Sequence, residues 1–375
     1  MRVLFVTYHY LNGNSGATYA SRAYINSAAA IAESLVLLCP VKEGKEPEGI
    51  DPRVEIVAVS YDKSRIAKAL DLIRGRLHRY YDVFDAVLGK DRFDIVIFDA
   101  CYSSFGLMDK AHKAGCKVVV IHHNYQLEYV KDSYGFPRKQ FMLFWTRRCE
   151  RAAVHYSDLN LVLTDADRRL LMNAYDFPFP ERFVLIGVFE SSESAKSLAG
   201  RAPEENVFVI TGTLSARQTE DSLLPWLKDY YPLLNSVLPG SRLIVAGGKP
   251  GPRVIQACES QGVELVANPP VMSEVIARAK YYICPTDKGG GLKLRIMDGL
   301  KNGLPVLTHE VSARGYDAFM GKAVFSYSDR ESFVNGLSDM TSSAAGPQEI
   351  MDMYASEFSF ASGVERMRIA LDRLK

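Results

Sequence analysis

The sequence predicts an α/β protein made of two domains, each built on a parallel sheet. Its 375 residues exceed what one hydrophobic core usually holds, since single cores stop growing at roughly 250–300 residues. Short apolar runs alternate with helix-length segments through both halves of the chain. These runs are continuously apolar, which is typical of strands that helices cover on both faces of a parallel sheet.

The predicted strands divide into two sets. In chain order they are residues 3–7, 34–39, 54–59, 94–99, 117–122, 159–164 and 183–188, followed by 207–211, 242–246, 263–266, 281–285 and 305–308. Many of them end in small or polar residues. Because ligands of open α/β sheets bind beyond the carboxyl ends of the strands, we expect the functional residues there.

A polar segment separates the two sets of strands. Residues 190–206, ESSESAKSLAGRAPEEN, are rich in small residues and lack hydrophobic periodicity, which is typical of a linker. We therefore predict an N-terminal domain over 1–190, a linker over 191–205 and a second domain over 206–355. The two domains are expected to face a central cleft.

Composition argues against several classes of protein. The net charge of +1 gives no global signal for nucleic acid binding. The six cysteines lack CxxC spacing and fit a reducing compartment better than a disulfide or zinc framework. No apolar run approaches the ~20 residues that span a bilayer, and a strand follows Met1 directly, so we expect a cytoplasmic protein.

The most informative stretch is a triple glycine between a strand and a helix. It reads DKGGGLKLRIMDGLKNG, and its apolar residues recur at helical spacing. Such a turn offers backbone N–H groups to an anion at the start of a helix. Lys293 could reach a bound phosphate, and the carboxylate of Asp298 could accept hydrogen bonds from ribose hydroxyls. Arg295, about 200° round the helix from Lys293, is expected to serve a different place, and a flexible turn with both cations in solvent is the alternative.

Two other glycine turns follow predicted strands. After the first strand, NGNSG precedes a helix that Ser15 or Asn14 could cap. This turn fits a phosphate or sugar, or is an ordinary loop. The turn TGTLSARQ opens the second domain, and its Arg217 could clamp a diphosphate or lie solvated on the surface.

Two adjacent histidines follow the strand KVVVI. Successive side chains of a strand point to opposite faces, so at most one of His122 and His123 is expected to be functional. A neutral imidazole there could share a hydrogen bond with a substrate hydroxyl. No Asp, Glu or His cluster at metal-ligand spacing accompanies the pair, so we predict no metal site.

The segment 64–90 is basic and aromatic. It carries six cations, among them Arg65, Lys68, Arg74, Arg76 and Arg79, together with Tyr80, Tyr81 and Phe84, and one interpretation is contact with a membrane that holds a lipid-linked substrate. The alternative is a solvated helix face, because three aspartates dilute the charge.

Several of these motifs together resemble one family, across nearly the whole chain. The sequence is similar to GT-B-fold glycosyltransferases of family 4, the retaining group-1 glycosyl transferases. The matching segments are the Ser15-Gly16-Ala17 turn, His123-Asn124, LNLVLTDADRRLLMNAY, TGTLSARQ, RLIVAGGKPG, GGGLKLRIMDGLKNGLPVLTHEVSARGYD and SEFSFASGVERMRIALDRL. In this family the last of these forms a closing helix, here residues 356–375, that packs back on the first domain.

The resemblance implies an enzyme that moves a sugar from a nucleotide diphosphate sugar to an acceptor hydroxyl and retains the anomeric configuration. The implied nucleotide is UDP or GDP, and the reaction is expected to need no metal or other cofactor. The resemblance also implies that His123 is catalytic and that the donor-binding residues are Gly16, Arg217, Gly290, Gly291, Leu292, Lys293 and Asp298. A glycan or lipid-linked acceptor in bacterial surface polysaccharide synthesis, at the inner face of the membrane, is the implied setting. Nucleic acid is not an expected partner.

Two positions depart from the family pattern. The first glutamate of the family's E-x7-E motif falls on Gly290, and the usual basic pair falls on Thr213 and about Thr219. These departures keep two alternatives open. One is a nucleotide-sugar-modifying GT-B enzyme such as an epimerase, and the other is a diverged, non-catalytic binding member.

Overall fold

Two compact units make up the protein. The structure, a computed structural model, describes residues 1–13, 15–42, 45–60, 80–192, 203–289 and 291–374, apart from the side chains of 132 and 133. The units are Met1–Ser194 with Phe358–Lys375, and Ala195–Glu357. Each is built on one sheet whose described strand pairs are all parallel. The predicted α/β class with two parallel sheets is confirmed.

The first unit holds a seven-stranded sheet in the order β3-β2-β1-β4-β5-β6-β7. Its strands are β1 Arg2–Thr7, β2 Ser34–Val41, β3 Glu55–Ser60, β4 Ile95–Asp99, β5 Lys117–His122, β6 Leu159–Val162 and β7 Phe183–Leu185. All seven fall on predicted runs. The order reverses between β1 and β4, and at such a switch point the connections leave to opposite sides and open a crevice beyond the strand ends.

Helices cover both faces of this sheet. They are α1 Gly16–Ile31, α2 Tyr81–Lys90, α3 Cys101–Ser104, α4 Met108–Lys113, α5 Gln126–Ser133, α6 Arg138–Tyr156 and α7 Asp165–Ala174. Of the predicted membrane segment 64–90, residues 64–79 lie outside the described residues, and α2 accounts for most of the rest. Among the described helices, none combines the length and apolar character that crossing a membrane requires.

The second unit repeats the plan with six strands in the order β10-β9-β8-β11-β12-β13. They are β8 Val207–Thr213, β9 Arg242–Gly248, β10 Glu264–Ala267, β11 Tyr281–Cys284, β12 Val306–His309 and β13 Val324–Tyr327. Here the order reverses between β8 and β11. The sequence did not predict β13, because its four residues VFSY give too short an apolar run to stand out.

The helices of the second unit follow its strands in turn. They are α8 Arg217–Asp229, α9 Tyr231–Val237, α10 Pro252–Gln261, α11 Met272–Ile276, α12 Leu294–Lys301, α13 Glu310–Ala313, α14 Arg330–Thr341 and α15 Pro347–Phe358. A last helix, α16 Phe360–Asp372, packs against α1 within the first unit. A Cβ on Gly363 of α16 would lie 2.0 Å from Cδ2 of Phe189, so the chain crosses that ring at a distance only glycine permits.

Glycine also sets how closely α12 lies on the second sheet. A Cβ on Gly299 would lie 2.8 Å from Cγ of Tyr282 in β11 and 2.9 Å from Cγ2 of Val306 in β12. Both distances are shorter than real carbon contacts. The helix that carries the predicted phosphate-binding residues is therefore pressed onto two neighbouring strands.

Replacing Gly299 with alanine should destabilise the second unit by about 1–3 kcal/mol, the usual cost of overpacking a filled core. A matched control is Gly89→Ala in α2, where no other atom lies within 4 Å of the new Cβ. That change should stabilise the protein by roughly 0.5 kcal/mol through helix propensity alone. Urea unfolding of both variants measures the difference, and equal effects would contradict the close packing of α12.

Candidate functional site

A buried carboxylate organises the carboxyl ends of the strands in the first unit. Thr7 of β1 pairs in register with Asp99 of β4, on either side of the switch point. Oγ1 of Thr7 donates to Oδ2 of Asp99 at 2.7 Å, and Oγ of Ser21 in α1 donates to the same oxygen at 2.6 Å. Asp99 is completely buried, so these donors replace the water that the charge has lost.

His123 is held by the other oxygen of this carboxylate. Its Nε2 lies 2.5 Å from Oδ1 of Asp99. Burial by itself would raise the pKa of Asp99, but the charges of His123 and His9 and the hydrogen bonds of His123 and Ser21 outweigh it and hold the pKa well below its ordinary value. Asp99 is therefore an anion. It fixes the ring of His123 through a hydrogen bond to Nε2.

The two adjacent histidines have different surroundings. His122 is buried, and its Nε2 lies 2.8 Å from Oδ1 of Asn160 in β6. Burial lowers the pKa of His122 to about 4, despite the hydrogen bond to Asn160, which acts in the opposite direction. His122 is thus a neutral structural residue, while His123 is partly exposed at the end of β5.

His9, which follows β1, lies close to Asp99 and His123. All three residues are of types that can bind a metal ion. Their ligand atoms lie within 4.8 Å of one another, and this is the one such group among the described residues. Two ligands of a tetrahedral zinc, each about 2.0–2.1 Å from the ion, stand roughly 3.3 Å apart. The 2.5 Å between His123 and Asp99 is instead a hydrogen-bond distance, so the group is arranged as a hydrogen-bonded cluster.

Two buried carboxylates fix the turn that follows His123. Oδ1 of Asp167 accepts from the backbone N–H of Tyr125 at 3.0 Å, and Oε1 of Glu150 accepts from that of Gln126 at 2.6 Å. These are N–H groups at the start of α5 that have no partner within the helix. Between them and His123 lies Asn124, whose buried Oδ1 accepts no hydrogen bond from the described residues.

The Glu150 side chain that holds this turn has a pKa raised into the neutral range. Burial raises its pKa to about 7, although hydrogen bonds from the Tyr175 hydroxyl and from Gln126 act to lower it. The Tyr175 hydroxyl donates to Oε2 at 2.7 Å. The start of α5 therefore rests on a group that changes charge near neutral pH.

The glycine turn of the second unit follows β11 and is pinned from several sides. Oγ of Ser222 donates to Oδ1 of Asp287 at 2.8 Å, and Nε2 of Gln218 donates to the carbonyl of Lys288 at 2.9 Å. Gly289 and Gly291 have φ of 84° and 71°, a region that glycine alone enters without strain. The predicted Gly290 lies outside the described residues.

The predicted donor residues of this turn surround the start of α12. Lys293 precedes the helix, and its Nζ donates to the carbonyl of Gly289 at 2.8 Å, while its own carbonyl accepts from the Tyr316 hydroxyl. Leu292 is half-buried beside it, and Asp298 is exposed one turn along the helix. The structure thus brings Gly291, Leu292, Lys293 and Asp298 to one helix start.

Arg295 also belongs to this region, although its position about 200° round the helix from Lys293 predicted a different place. Its Nη2 donates to Oγ1 of Thr219 in α8 at 2.5 Å, and a Cβ on Gly212 in β8 would lie 2.6 Å from its Cζ. The guanidinium therefore crosses the switch point of the second sheet, from α12 to the end of β8. The family that the sequence resembles has a basic residue at about this position, so the missing cation near Thr219 was the one local signal that another cation could reach there.

Arg217 and Gly16 lie in different surroundings. The side chain of Arg217 is 93% exposed and lies 3.5 Å from a carboxylate oxygen of Asp221, one helical turn along α8. Gly16 is the first residue of α1 and is exposed; Ser15 caps the helix by accepting from the backbone N–H of Thr18. The other predicted cap, Asn14, lies outside the described residues. Donor contacts of Arg217 and Gly16 remain predictions.

The fold is that of known glycosyltransferases. The chain is similar to Anabaena HepE, solved in complex with UDP-glucose, with a TM-score of 0.66, 11% identity and 100% of both chains covered. For sucrose-phosphate synthase from Thermosynechococcus elongatus the TM-score is 0.71 and the identity 12%, over 100% of this chain and 98% of the other. For WaaG, a glycosyltransferase involved in lipopolysaccharide biosynthesis, the values are 0.63 and 16%, over 98% and 99%.

At these identities the likeness shows the fold alone, and the predicted GT-B architecture of two Rossmann-like domains is confirmed. Neither a family model nor a curated protein sequence matches the chain. The chemistry must therefore be argued from the residues at the strand ends.

Replacing Glu150 with glutamine should flatten the pH dependence of stability. The folded state keeps the Glu150 proton up to about pH 7, whereas the unfolded chain releases it near pH 4.3. The contribution of Glu150 to the free energy of unfolding is therefore fully present below about pH 4. It falls by about 1.4 kcal/mol per pH unit as the pH rises to about 7. Urea unfolding at intervals between those values should show a steeper decline for the native protein than for the variant, and parallel profiles would contradict the raised pKa.

Proposed function

We propose that the protein is a retaining glycosyltransferase of the family-4 type, which moves a sugar from a nucleoside diphosphate sugar to an acceptor hydroxyl. The observation that carries the proposal is the start of α12. There Lys293 donates to the carbonyl of Gly289 in the glycine turn, and Arg295 of the same helix reaches Thr219 beside the switch point of a parallel sheet. Helix starts and arginine forks are the usual receptors of phosphate groups.

The second unit would bind the donor. Lys293 and Arg295 would oppose the two charges of the diphosphate, and the exposed carboxylate of Asp298 would accept hydrogen bonds from the ribose hydroxyls. Because two side-chain cations and a helix start already offer positive charge, the proposal needs no metal or other cofactor. UDP or GDP is the proposed nucleotide, and UDP-glucose is the first donor to test because HepE was solved with it.

The reaction breaks the bond between the anomeric carbon and the diphosphate oxygen and forms a bond from the same face to the acceptor oxygen. The acceptor's proton passes to the departing diphosphate. The transition state is oxocarbenium-like, and its cost is lowered by stabilising the charge that develops on the diphosphate. That role falls to Arg295, Lys293 and the backbone N–H groups of the turn.

The first unit would bind the acceptor. His123, with one nitrogen held by Asp99, has its other nitrogen for a sugar or acceptor hydroxyl. Asn124 would accept from a hydroxyl through Oδ1, which has no donor among the described residues. The proposed acceptor is a glycan or lipid-linked sugar in bacterial surface polysaccharide synthesis, and the proposed donor sugar is a hexose.

Affinity for the diphosphate should depend on Arg295 and not on Arg217. Arg295→Gln removes a charge-assisted contact worth about 1.5–3 kcal/mol, so the dissociation constant for UDP should rise about 10- to 100-fold. Uridine, which has no phosphate, should be bound equally by both proteins. Arg217→Gln, a matched change at an exposed position in α8, should leave both affinities within twofold, as measured by calorimetry.

The opposite result would assign the diphosphate contact to Arg217, as the sequence alone suggested. If neither UDP, GDP, ADP nor CMP binds the native protein, the glycosyltransferase proposal is wrong and a binding member that uses another ligand takes its place. A nucleotide sugar that is consumed without acceptor-dependent release of free nucleotide would instead indicate an epimerase.

Replacing His123 with alanine should lower kcat about 100-fold, because the imidazole would no longer hold the reacting hydroxyl in position. Its affinity for UDP should stay the same, because the histidine belongs to the other unit. Asp99→Asn should lower kcat less, since the ring of His123 is retained but loses its anionic partner. Both are measured as release of free nucleotide at saturating donor, and full activity of His123→Ala would remove this residue from the reaction.

A further inference from the structure

The three most exposed phenylalanines among the described residues lie on α6 or just before it. The helix is buried on one side through Thr146, Cys149, Glu150, Ala153 and Val154. On the other side Phe141 and Phe144 are 65% and 61% exposed, and Phe136, just before the helix, is 83% exposed. A single exposed phenylalanine is ordinary, but three within nine residues concentrate apolar surface in one short stretch, and such a concentration marks an interaction site.

The helix as a whole is strongly basic. The helix contains five cations, Arg138, Lys139, Arg147, Arg148 and Arg151, and its one acidic residue is the buried Glu150. Of the ion pairs that the described residues form, none involves these five cations. The chain as a whole has a net charge of only +1, so the excess on this helix is local.

Aromatic and basic side chains share one stripe of the helix. At 3.6 residues per turn, Phe141, Phe144, Arg147, Arg148 and Arg151 fall within about 120° of one another. The phenylalanines lie in the first half of the stripe and the arginines in the second. Cζ of Arg148 lies 5.9 Å from the ring centroid of Phe144, so the cation lies beside the apolar group and not on a separate surface.

We propose that this face of α6 docks on a lipid membrane that is rich in anionic phospholipid. The phenyl rings would enter the boundary between headgroups and acyl chains, while the arginines would bind the phosphates. Long basic side chains extend along an apolar surface and keep their charge in the headgroup layer. Docking through α6 is independent of the activity proposed above and involves a different helix from the predicted segment 64–90.

Charge and shape favour lipid over other occupants. A second copy would bring Arg147, Arg148 and Arg151 against the same three cations across a two-fold interface, and like charges in close apposition are strongly unfavourable. A folded partner would need pockets for phenyl rings that stand out from a single helix. A fluid lipid layer adapts to such side chains and needs no pocket.

The test uses full-length protein in vesicle flotation. The vesicles are pure phosphatidylcholine, or phosphatidylcholine with about 30% phosphatidylglycerol, each at about 50 mM and about 500 mM NaCl. The native protein should float with the anionic vesicles at low salt and bind the zwitterionic vesicles at least tenfold more weakly. The higher salt should release a large part of it, because exposed charges are screened.

Two variants and a control place the binding on this helix. Arg147→Gln with Arg148→Gln should lower partitioning onto anionic vesicles about 25-fold, at roughly fivefold for each cation near the surface. Phe141→Ser with Phe144→Ser should lower binding to both kinds of vesicle. The control, Arg368→Gln with Arg373→Gln, removes two exposed cations from α16 and the residue that follows it in the same unit and should leave binding to both kinds of vesicle unchanged.

Three results would overturn the proposal. They are the absence of binding to anionic vesicles by folded native protein, equal binding by the α6 variants and the control, and a dimer in size-exclusion chromatography that Phe141→Ser dissociates. The last result would identify a second copy as the occupant of this face. All substituted side chains are exposed, so circular dichroism should show that each variant is folded.

Discussion

The reversal of strand order beside the first strand of each sheet determines where polar groups can gather. In both units all described strand pairs are parallel. In each sheet the first strand of the unit lies beside the fourth, and the strand order reverses between these two. Buried parallel strands hold apolar side chains along their length, so charge is tolerated only where they end. Asp99 and His123 lie at this position in the first unit, and Arg295 reaches it in the second.

The buried anion of Asp99 makes the polar group of the first unit rigid. Asp99 keeps its charge because Thr7, Ser21 and His123 come from three different elements to meet its two oxygens. An unpaired charge at that depth would cost several kcal/mol, so the same contacts that allow the charge also fix the ring of His123. The contacts that stabilise the carboxyl ends of these strands therefore also orient the proposed catalytic group.

The cations of the second unit are placed by packing and not by their order in the chain. Arg217 follows the glycine turn in sequence, yet it points into solvent beside Asp221. Arg295 comes much later, and the close approach of α12 to β11 and β12 carries it over Gly212 to Thr219. A helix that rests on its sheet through Gly299 has little freedom to place this guanidinium elsewhere.

The sequence alone determined the fold class, twelve of the thirteen strands and the stretch that carries the glycine turn, because continuous apolar runs and glycine positions are local signals. It could not determine β13, whose four residues give too weak a pattern. Side-chain alternation left either His122 or His123 as the functional residue, although the resemblance favoured His123, and no local pattern could relate Arg295 to Gly212 and Thr219. These relations depend on residues far apart in the chain, which only the packing of helices on the sheets brings together.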